Sequence, residues 1–372
     1  MRVLHIGDLH ISSRYMRELT LPAASGLSVL DAILKIAADK QPDVVVCTGD
    51  VFDQLEPVNS KPVLTAVNFF RSLQAILPGA PILVVRGTLS HDPYRSLHVL
   101  SLAGCLVADE EPIGFDYHAV RFVLLPALPK RAIFGTAPAD VIRGTLELHG
   151  NGKAIQILCA HGTVAESVNE HGVPMDGSDW EFSLADIAKA NVNAVLLGHI
   201  HKPQDWRITS IRGEALVSYA GSVGRFTIGE DHNKSVSLIT IDRDQVGLER
   251  IPVPASESLI AGTDSHTFED LENFLAEDAR RSVRITMGSA SDPWPHQLHA
   301  KRPSQVKLIK TDNRTSIHHQ KIRRISSIED AFSVFAEIHG QDPTVILPVF
   351  RACVRADWRE LVESVGLGGL ID

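Results

Sequence analysis

The chain has 372 residues, a formal net charge of -9 and 44% hydrophobic residues. Its length exceeds what one hydrophobic core usually serves, so we expect a first domain of ordinary size followed by at least one smaller unit. The hydrophobic content excludes a disordered chain, and no apolar run approaches the roughly 18 residues needed to span a bilayer. The start shows no signal-peptide pattern and the four cysteines lie far apart, so we expect a reduced, cytoplasmic protein with no membrane contact.

The first 200 residues alternate short β-branched runs with helical patterns. A strand at 3–6 precedes apolar residues at helical spacing over 27–37, and a strand at 44–47 precedes a helix over 63–77. Further strands are predicted at 82–85, 122–125, 155–159 and 195–197. Strands that alternate with helices predict an α/β fold built on parallel strands.

Beyond residue 201 the pattern changes to strands without long intervening helices, which predicts an antiparallel completion of a first domain spanning 1–255. The prolines from 252 to 254 predict a linker. A smaller α+β unit is expected over 262–325, with a helix near 271–275 and strands near 283–287 and 306–309. Helices are expected over 326–372.

Residues of the types that bind metals follow five of the predicted strands, at the ends where open α/β sheets place their ligands. They are Asp8 and His10, Asp50 and Asp53, His91 and Asp92, His161, and finally His199 and His201. Alternate residues of an extended segment point to one side, so Asp8 and His10 can face one ion. Gly49 allows a tight turn from which the Asp50 carboxylate projects, where it could bridge two ions.

Each of these signals has an ordinary structural explanation when it is taken singly. The first could be a capped turn, the second a strand-to-helix turn, and His161 a satisfied core histidine. Together they favour a site, because the chain's 17 histidines are about twice ordinary usage and five of them stand at strand ends. Scattered core histidines would not concentrate at those positions.

The ligand types restrict the metal. Carboxylate oxygen and imidazole nitrogen without thiolate suit Mn²⁺, Fe²⁺ or Zn²⁺ better than Ca²⁺ or a structural zinc site, and manganese is our first expectation. Two such ions about 3.5–4 Å apart can clamp a phosphate and supply hydroxide at neutral pH. The pattern therefore predicts hydrolysis of a phosphate ester.

At this point the chain resembles the calcineurin-like metallophosphoesterase superfamily, with its D-x-H, G-D-x-x-D, G-N-H-D, G-H and G-H-x-H signatures in this order over residues 1–225. The motif spellings at 7–11, 49–53, 198–203 and 219–222 are most similar to the SbcD type, the nuclease subunit of the SbcCD DNA-repair complex. The resemblance implies a four-layer β-sandwich flanked by helices, a smaller α+β capping domain, and C-terminal helices that bind an SMC-like ATPase.

The resemblance also implies a role for each site residue. Six side chains would hold two ions, three on the first, two on the second and one bridging both: Asp8, His10 and His201; His161 and His199; and Asp50. His91 would protonate or stabilise the departing oxygen, with Asp92 orienting it. The alternative for His91 is a helix-start histidine paired with Asp92.

One motif departs from the superfamily pattern. In place of Gly-Asn-His-Asp, the chain has a loop two residues longer that runs from Gly87 to Asp92 and lacks the asparagine. Ser90 is the expected replacement, since a hydroxyl is also a neutral oxygen ligand, and Thr88 is the second choice. A hydroxyl binds less firmly than an amide carbonyl, so the second ion site is expected to be weak, selective for another ion, or filled only with substrate.

A basic segment lies between residues 301 and 324, with eight lysines and arginines against one acid. It is either a footprint for phosphate groups or a solvated basic face. The candidate contacts to nucleic acid are Lys301, Arg302, Lys307, Lys310 and Arg314.

These features favour a DNA nuclease that works with an SbcC-like ATPase of the SMC type. The alternatives are a small-molecule phosphodiesterase and a DNA-binding scaffold subunit whose metal site has decayed at the loop that contains Thr88 and Ser90. The predicted helices at 27–37 and 63–77 could also supply a homodimer contact, as in the resembled family. Packing on the sheet explains their apolar stripes more simply.

Overall fold

The structure is a computed structural model that describes residues 1–23, 26–129, 135–150, 155–169, 172–174, 181–227, 230, 232–243, 245–262, 265–287 and 293–310. The strands within these ranges are β1 (Arg2–Ile6), β2 (Val44–Cys47), β3 (Ile82–Val85), β4 (Cys105–Ala108), β5 (Ile113–Tyr117), β6 (Val120–Leu125), β7 (Ile155–His161), β8 (Thr163–Val164), β9 (Glu181–Phe182), β10 (Ala194–Gly198), β11 (Gln204–Ser210), β12 (Gly213–Tyr219), β13 (Ser235–Asp242), β14 (Gln245–Pro252), β15 (Ser258–Gly262), β16 (Ser282–Met287) and β17 (Val306–Lys310). The helices are α1 (Met16–Thr20), α2 (Val29–Lys40), α3 (Lys61–Ile76), α4 (Pro138–His149), α5 (Leu184–Ala188), α6 (Phe268–Glu277) and α7 (Trp294–Lys301), with a 3₁₀ helix at Ser96–Ala103.

Two six-stranded sheets form the centre of the first domain. The first sheet has the strand order β14-β13-β1-β2-β3-β4, and the second has the order β11-β12-β10-β7-β6-β5. In the first sheet β1 to β4 run parallel, while β13 pairs antiparallel with both β1 and β14. The expected change from parallel to antiparallel pairing after residue 201 is therefore confirmed.

The packing gives four layers. Side chains of the two inner sheet faces, such as Val46, Leu83 and Ile157, form one buried core between the sheets. A second core joins the outer face of the first sheet to α2 and α3, and a third joins the outer face of the second sheet to α4 and α5. The strands are apolar on both faces because both faces are covered. The predicted four-layer sandwich is confirmed.

Helices α2 and α3 begin at serine caps. The side chain of Ser28 accepts from the amide of Asp31, and that of Ser60 accepts from the amide of Val63. Their apolar stripes, which include Ile33 of α2, pack on the first sheet, which accounts for the helical spacing seen in the sequence. The homodimer contact through these helices stays a prediction. Within the described ranges, no helix is both long enough and apolar enough to cross a membrane.

A smaller unit follows the linker. Its sheet has the order β15-β16-β17, with all strands parallel, and α6 and α7 pack on it around Leu271, Leu275 and Ile285. The predicted helix and both predicted strands are present. The first strand of this unit begins at Ser258, earlier than the expected boundary at 262. The strand has only five residues, several of them small, so its sequence could not be distinguished from the proline linker before it. Residues 311–325 and the predicted helices over 326–372 lie outside the described residues.

The cysteines agree with the expected reduced core. Cys47, Cys105 and Cys159 are buried and have no disulfide, and burial raises the pKa of each thiol. Cys353 lies outside the described residues. The three described thiols therefore act as small apolar core residues.

Gly198, at the end of β10, allows the two sheets to approach each other. A Cβ atom there would lie 2.1 Å from the carbonyl oxygen of Thr48, which belongs to the loop after β2. Gly49 and Gly87 are similarly restricted, since a Cβ atom on either would lie less than 3 Å from the Asp50 or His161 side chain. Glycine is thus required where strand ends of the two sheets meet.

Replacing Gly198 with alanine is expected to lower the free energy of unfolding by about 1–3 kcal/mol, because the new methyl group is forced against the backbone. Gly144→Ala is the matched control, since Gly144 lies in α4 with open space around it. That change is expected to raise the free energy of unfolding by about 0.5–1 kcal/mol. Urea unfolding followed by circular dichroism measures both, and a wild-type midpoint for Gly198→Ala would contradict the prediction.

Candidate metal centre

The predicted ligands meet where the carboxyl ends of strands from both sheets come together. The loops after β1 and β2 are held in register, because the amide of Asp8 donates to the carbonyl of Gly49 and the amide of His10 donates to that of Asp50. His161 ends β7, and His199 follows β10 directly. Five segments that are remote in sequence therefore deliver their polar side chains to one place, as the strand-end argument predicted.

The backbone at this place is held in an uncommon conformation. Asp8, His10, Asp50 and His199 have φ angles of 50°, 45°, 49° and 101°, in the left-handed region that side chains other than glycine rarely occupy. Such residues persist only when surrounding structure determines them, and they cluster at functional sites. Four of the six predicted ligands share this property.

Asp50 belongs to two groups of possible ligands. One group contains His10, Asp50 and His91, and the other contains Asp50, His161 and His199, with the ligand atoms of each group within 4.8 Å of one another. These are the groups found among the described residues. A carboxylate that faces two such groups is in the position to bridge two ions, which is the geometry expected for it from the sequence.

Hydrogen bonds to the far sides of two rings set their tautomers. Nδ1 of His161 lies 2.7 Å from the carbonyl oxygen of Thr48, and Nδ1 of His201 lies 2.8 Å from the Glu230 carboxylate. Because both oxygens only accept, each Nδ1 carries a hydrogen, which leaves Nε2 as the atom that presents a lone pair when the ring is neutral. Nε2 is therefore the nitrogen of each ring that can bind a metal ion.

Several polar atoms at the centre are buried without a hydrogen-bond partner among the described residues. They are Oδ2 of Asp8, Nδ1 of His10 and Nε2 of His161. Nε2 of His10 and Nε2 of His201 lie 2.9 Å apart and form one hydrogen bond. Unpartnered buried acceptors are costly, and a cation between them removes the cost. The donor set fits a pair of divalent ions.

The electrostatics of the second group favour positive charge. Burial raises the pKa of Asp50, but His161, His10 and His91 outweigh it and hold that pKa well below its usual range. Burial lowers the pKa of His161, but the charge of Asp50, 3.4 Å from its Nε2, outweighs it and raises that pKa to about 9. Burial and the neighbouring His161 lower the pKa of His199 to about 3, so that this ring is a neutral ligand.

His91 is oriented by Asp53. Its Nδ1 lies 2.7 Å from the carbonyl oxygen of Asp53, and about a third of its side chain is exposed, at 32%. The Asp92 carboxylate instead accepts from the backbone amides of Val51, Phe52 and Gly87. This corrects the expectation that Asp92 orients the ring, because both of its oxygens are already bonded to backbone. Asp92 ties the loop after β2 to the loop that carries His91.

Thr88, not Ser90, lies against the bridging carboxylate. The amide and the hydroxyl of Thr88 donate to Oδ1 of Asp50 at 2.8 and 3.0 Å. Ser90 is exposed, and its hydroxyl contacts only that of Thr88, at 3.3 Å, among the bonds found. This placement favours Thr88, the second choice from the sequence, over Ser90 as the replacement for the missing asparagine.

The sequence analysis missed the polar group behind His201. Glu230 is fully buried and accepts from His201, and the fully buried Lys234 lies 2.5 Å from its other oxygen. Lys234 also donates to Ser222, which lies in one of the recognised motifs. The available signal was an acid and a lysine spaced by four residues just before an apolar strand, and that signal is weak because such pairs are common on exposed surfaces.

The family model for calcineurin-like phosphoesterases matches residues 1–203, more than half of the chain. The chain therefore belongs to the calcineurin-like phosphoesterase family and is a metallophosphoesterase. The family and enzyme class predicted from the order of the motifs are confirmed.

The chain is also similar to individual proteins of known name. The SbcD component of the nuclease SbcCD from Bacillus subtilis is 25% identical over 385 residues, which cover 91% of this chain and 93% of that protein. The DNA double-strand break repair protein Mre11 from Methanosarcina mazei is 24% identical over 268 residues, which cover 70% of this chain and 39% of that protein. Among solved structures, a dimetal phosphatase from Danio rerio has a TM-score of 0.42 at 14% identity, covering 67% of this chain and 95% of that chain.

Replacing Glu230 with glutamine keeps its shape and removes its charge. We expect the affinity for Mn²⁺ to fall about 10–100-fold, because the partner that fixes the metal-binding tautomer of His201 is weakened. Calorimetric titration measures the change, with circular dichroism to verify folding. Glu249→Gln is the control, since Glu249 is an exposed carboxylate paired with Lys40. Equal Mn²⁺ affinity in Glu230→Gln and the control would contradict the prediction.

Thr88→Val removes only the hydroxyl that faces Asp50. We expect the weaker of two Mn²⁺ binding steps to lose about tenfold in affinity in this variant. Ser90→Ala should keep the wild-type value, and Thr88→Asn should tighten the step because it supplies an amide oxygen. The same titration decides between the two hydroxyls. Loss of affinity in Ser90→Ala but not in Thr88→Val would restore Ser90 as the ligand.

Proposed function

We propose that this chain is a metal-dependent nuclease that hydrolyses phosphodiester bonds of DNA with two divalent ions, manganese first among them. The observation that carries the proposal is the Asp50 carboxylate, which faces both groups of histidines from a buried position between the two sheets. The nuclease and DNA-repair names of the relatives support it.

Each ligand has a proposed place. Three side chains would hold the first ion, two the second and one both: Asp8, His10 and His201; His161 and His199; and Asp50. When bound, the two ions would neutralise charge on the phosphate and generate the attacking hydroxide at neutral pH. The unpartnered oxygen of Asp8 and the lone pairs on the histidine rings support this assignment.

His91 is the proposed proton donor to the departing oxygen. Because the carbonyl of Asp53 only accepts, Nδ1 of His91 carries a hydrogen and Nε2 is the atom that gains or gives the proton. The ring contacts that of His10 edge to face, with centroids 4.7 Å apart, and is partly open to solvent. It is thus beside the centre and accessible to a substrate.

A basic cavity next to the centre supports a polyanionic substrate. This cavity of about 550 Å³ lies between the first domain and the smaller unit. Arg14, Arg284 and Lys307 line it and make no ion pair with any described residue. Phe226, in its wall, packs against His10, so the cavity and the centre are contiguous. Unpaired cations near the ions would bind the phosphates beyond the scissile one.

Two of the predicted DNA contacts also make ion pairs within the smaller unit. Lys301 and Arg302 both bind the Glu272 carboxylate, at 3.0 and 2.7 Å, and with Arg302 first they lower the pKa of Glu272 to about 2. One carboxylate neutralises only part of their combined charge, so both stay proposed contacts. Lys307 keeps its proposed role, while the side chain of Lys310 and the whole of Arg314 lie outside the described residues.

We further propose that the chain acts in DNA repair with an SbcC-like ATPase of the SMC type in the cytoplasm. The end-to-end match to the SbcD component supports this, because it extends past the family domain through the smaller unit. The buried cysteines without disulfides fit a reducing compartment.

The two alternative functions fit less well. A DNA-binding scaffold with a decayed site does not require its former ligands to stay together, yet His10, His161 and His199 lie with Asp50 in the two groups of possible ligands. A small-molecule phosphodiesterase leaves the basic cavity beside the smaller unit without a role.

A cleavage assay on linear duplex and single-stranded DNA tests the proposal. We expect Mn²⁺-dependent cleavage that chelator abolishes, that Asp50→Ala reduces to the chelated level, and that an SbcC-like ATPase stimulates on duplex ends. Asp205→Asn, an exposed carboxylate paired with Arg250, is the control and should cleave like the wild type. Absence of metal-dependent cleavage, or equal cleavage by Asp50→Ala, would overturn the proposal. Turnover of a chromogenic diester without DNA cleavage would favour the small-molecule enzyme.

A further inference from the structure

A buried arginine stands directly before the loop that departs from the family motif. Arg86 follows β3 and precedes Gly87, and its exposed fraction is 1%. A buried cation is costly unless hydrogen bonds and opposite charge surround it. Its positive charge also opposes the binding of metal ions nearby, and it lies close in sequence to Thr88, which donates to Asp50. An apolar residue would avoid both costs, which points to a role for the guanidinium itself.

The guanidinium of Arg86 joins three loops at the rim of the centre. It donates to the backbone carbonyls of Gly87, Asp109 and Ala127 at 2.8, 2.8 and 2.6 Å. Asp109 follows β4 and Ala127 lies just after β6, so loops of both sheets are held together. The Asp109 carboxylate, 3.2 Å from Nε, offsets the charge. A planar fork of donors can reach three acceptors in this way, whereas the single ammonium of a lysine cannot.

Gly87 depends on these contacts because it has no side chain to restrict its conformation. The backbone of glycine rotates more freely than that of any other residue. Its amide donates to Asp92 at 3.1 Å and its carbonyl accepts from Arg86, so both sides of the residue are fixed from outside. A side chain at this position could not do so, since a Cβ atom on Gly87 would lie 2.1 Å from Oδ1 of Asp50.

One peptide group carries the effect of Arg86 to Asp50. The carbonyl of Gly87 and the amide of Thr88 belong to the same planar unit, so they point in opposite directions. The carbonyl accepts from the guanidinium, and the amide donates to Oδ1 of Asp50 at 2.8 Å. Turning this plane would break both bonds. Because hydrogen bonds in a chain polarise one another, the charge of Arg86 also strengthens the amide as a donor.

The orientation of the Asp50 carboxylate decides which ion each of its oxygens faces. Oδ1 lies 3.4 Å from Nε2 of His161, and Oδ2 lies 4.0 Å from Nε2 of His10. The two oxygens therefore face the two proposed ion sites separately. The bonds from Thr88 hold Oδ1 on the side of the second ion, which leaves Oδ2 turned toward the first.

We propose that Arg86 is a positioning residue for the hydrolysis: through the peptide between Gly87 and Thr88, it holds Asp50 with one oxygen toward each ion. The proposal rests on the proposed two-ion function and deepens it by naming the residue that orients the bridge. Arg86 itself touches neither the substrate nor the ions. Its positive charge reaches the carboxylate through a neutral peptide, so that no side-chain cation takes the place of a metal ion.

Replacing Arg86 with methionine keeps an unbranched side chain and removes every donor. We expect the weaker of two Mn²⁺ binding steps, measured by calorimetry, to lose about 10–100-fold in affinity. For bis(p-nitrophenyl) phosphate, kcat should fall by a similar factor while KM stays close to the wild-type value, because Arg86 does not contact the substrate. Arg86→Lys keeps the charge but lacks the fork, so it should show an intermediate loss in the same step.

Arg121→Met is the matched control. Arg121 also donates to a backbone carbonyl, that of His149, and pairs with Asp116 at 3.1 Å, but it lies at the opposite end of β6 from the centre. This variant should be less stable to urea and keep both Mn²⁺ steps. Equal losses of Mn²⁺ affinity in Arg86→Met and the control would overturn the proposal. So would wild-type Mn²⁺ binding in whichever Arg86 variant folds, as judged by circular dichroism.

Electron paramagnetic resonance separates this proposal from the proposed function. Two Mn²⁺ ions that share a carboxylate bridge are magnetically coupled, whereas isolated ions are not. The wild type should give a coupled spectrum, and Arg86→Met should lose most of it at saturating Mn²⁺. A coupled spectrum that persists unchanged in both Arg86 variants would refute the positioning role alone. Absence of coupling in the wild type would contradict the two-ion function and, with it, the bridge on which Arg86 acts.

Discussion

The carboxylate of Asp50 is buried where the ends of two sheets meet, and a buried charge is tolerated only where opposite charge or hydrogen bonds surround it. Thr88 donates to it twice, and His161 faces it from the second sheet. Much of the surrounding structure follows from this requirement. Gly49 and Gly87 leave room for the group, and Asp92 ties together the two loops beside it.

Residues that lie behind the predicted ligands orient the histidine rings of the centre. Each ring whose tautomer can be assigned is fixed by an oxygen outside the cluster: His161 by Thr48, His201 by Glu230 and His91 by Asp53. Backbone carbonyls fix two of them and a buried ion pair fixes the third. A ring fixed by a carbonyl cannot lose its partner to protonation, whereas one fixed by a carboxylate gains basicity from it. The histidines of the two proposed ion sites are thus oriented by different kinds of partner, a backbone carbonyl for His161 and a carboxylate for His201.

The parts of this molecule that the sequence could predict are those that depend on local pattern. Buried parallel strands read as apolar runs, and the residues directly after them, such as Asp8 and His161, lie at the sheet edge as a consequence of topology. Choices that depend on loop conformation could not be made. Ser90 precedes His91 as the family asparagine does, but the helical turn between Thr88 and Asp92 places Thr88 at the carboxylate instead.

Charge was the other quantity that the sequence could not locate. A run of basic residues records composition, while pairing with a distant acid decides whether a cation is available. Lys301 and Arg302 share the single carboxylate of Glu272, 29 and 30 residues away, and Arg14 and Arg284 become neighbours of one cavity only through folding. Glu230 escaped notice for the same reason, since its partner His201 precedes it by 29 residues, with β11 and β12 between them.

Three arginines at the junction of the two units donate hydrogen bonds to backbone carbonyls. Arg17 donates to the carbonyl of Ala279, Arg225 to that of Ser256 and Arg280 to that of Pro254. Bonds from a guanidinium to a neutral carbonyl depend far less on ionic strength than contacts with phosphates do. Under the proposed function, rising salt would accordingly weaken contacts with DNA phosphates while leaving these bonds between the two units in place.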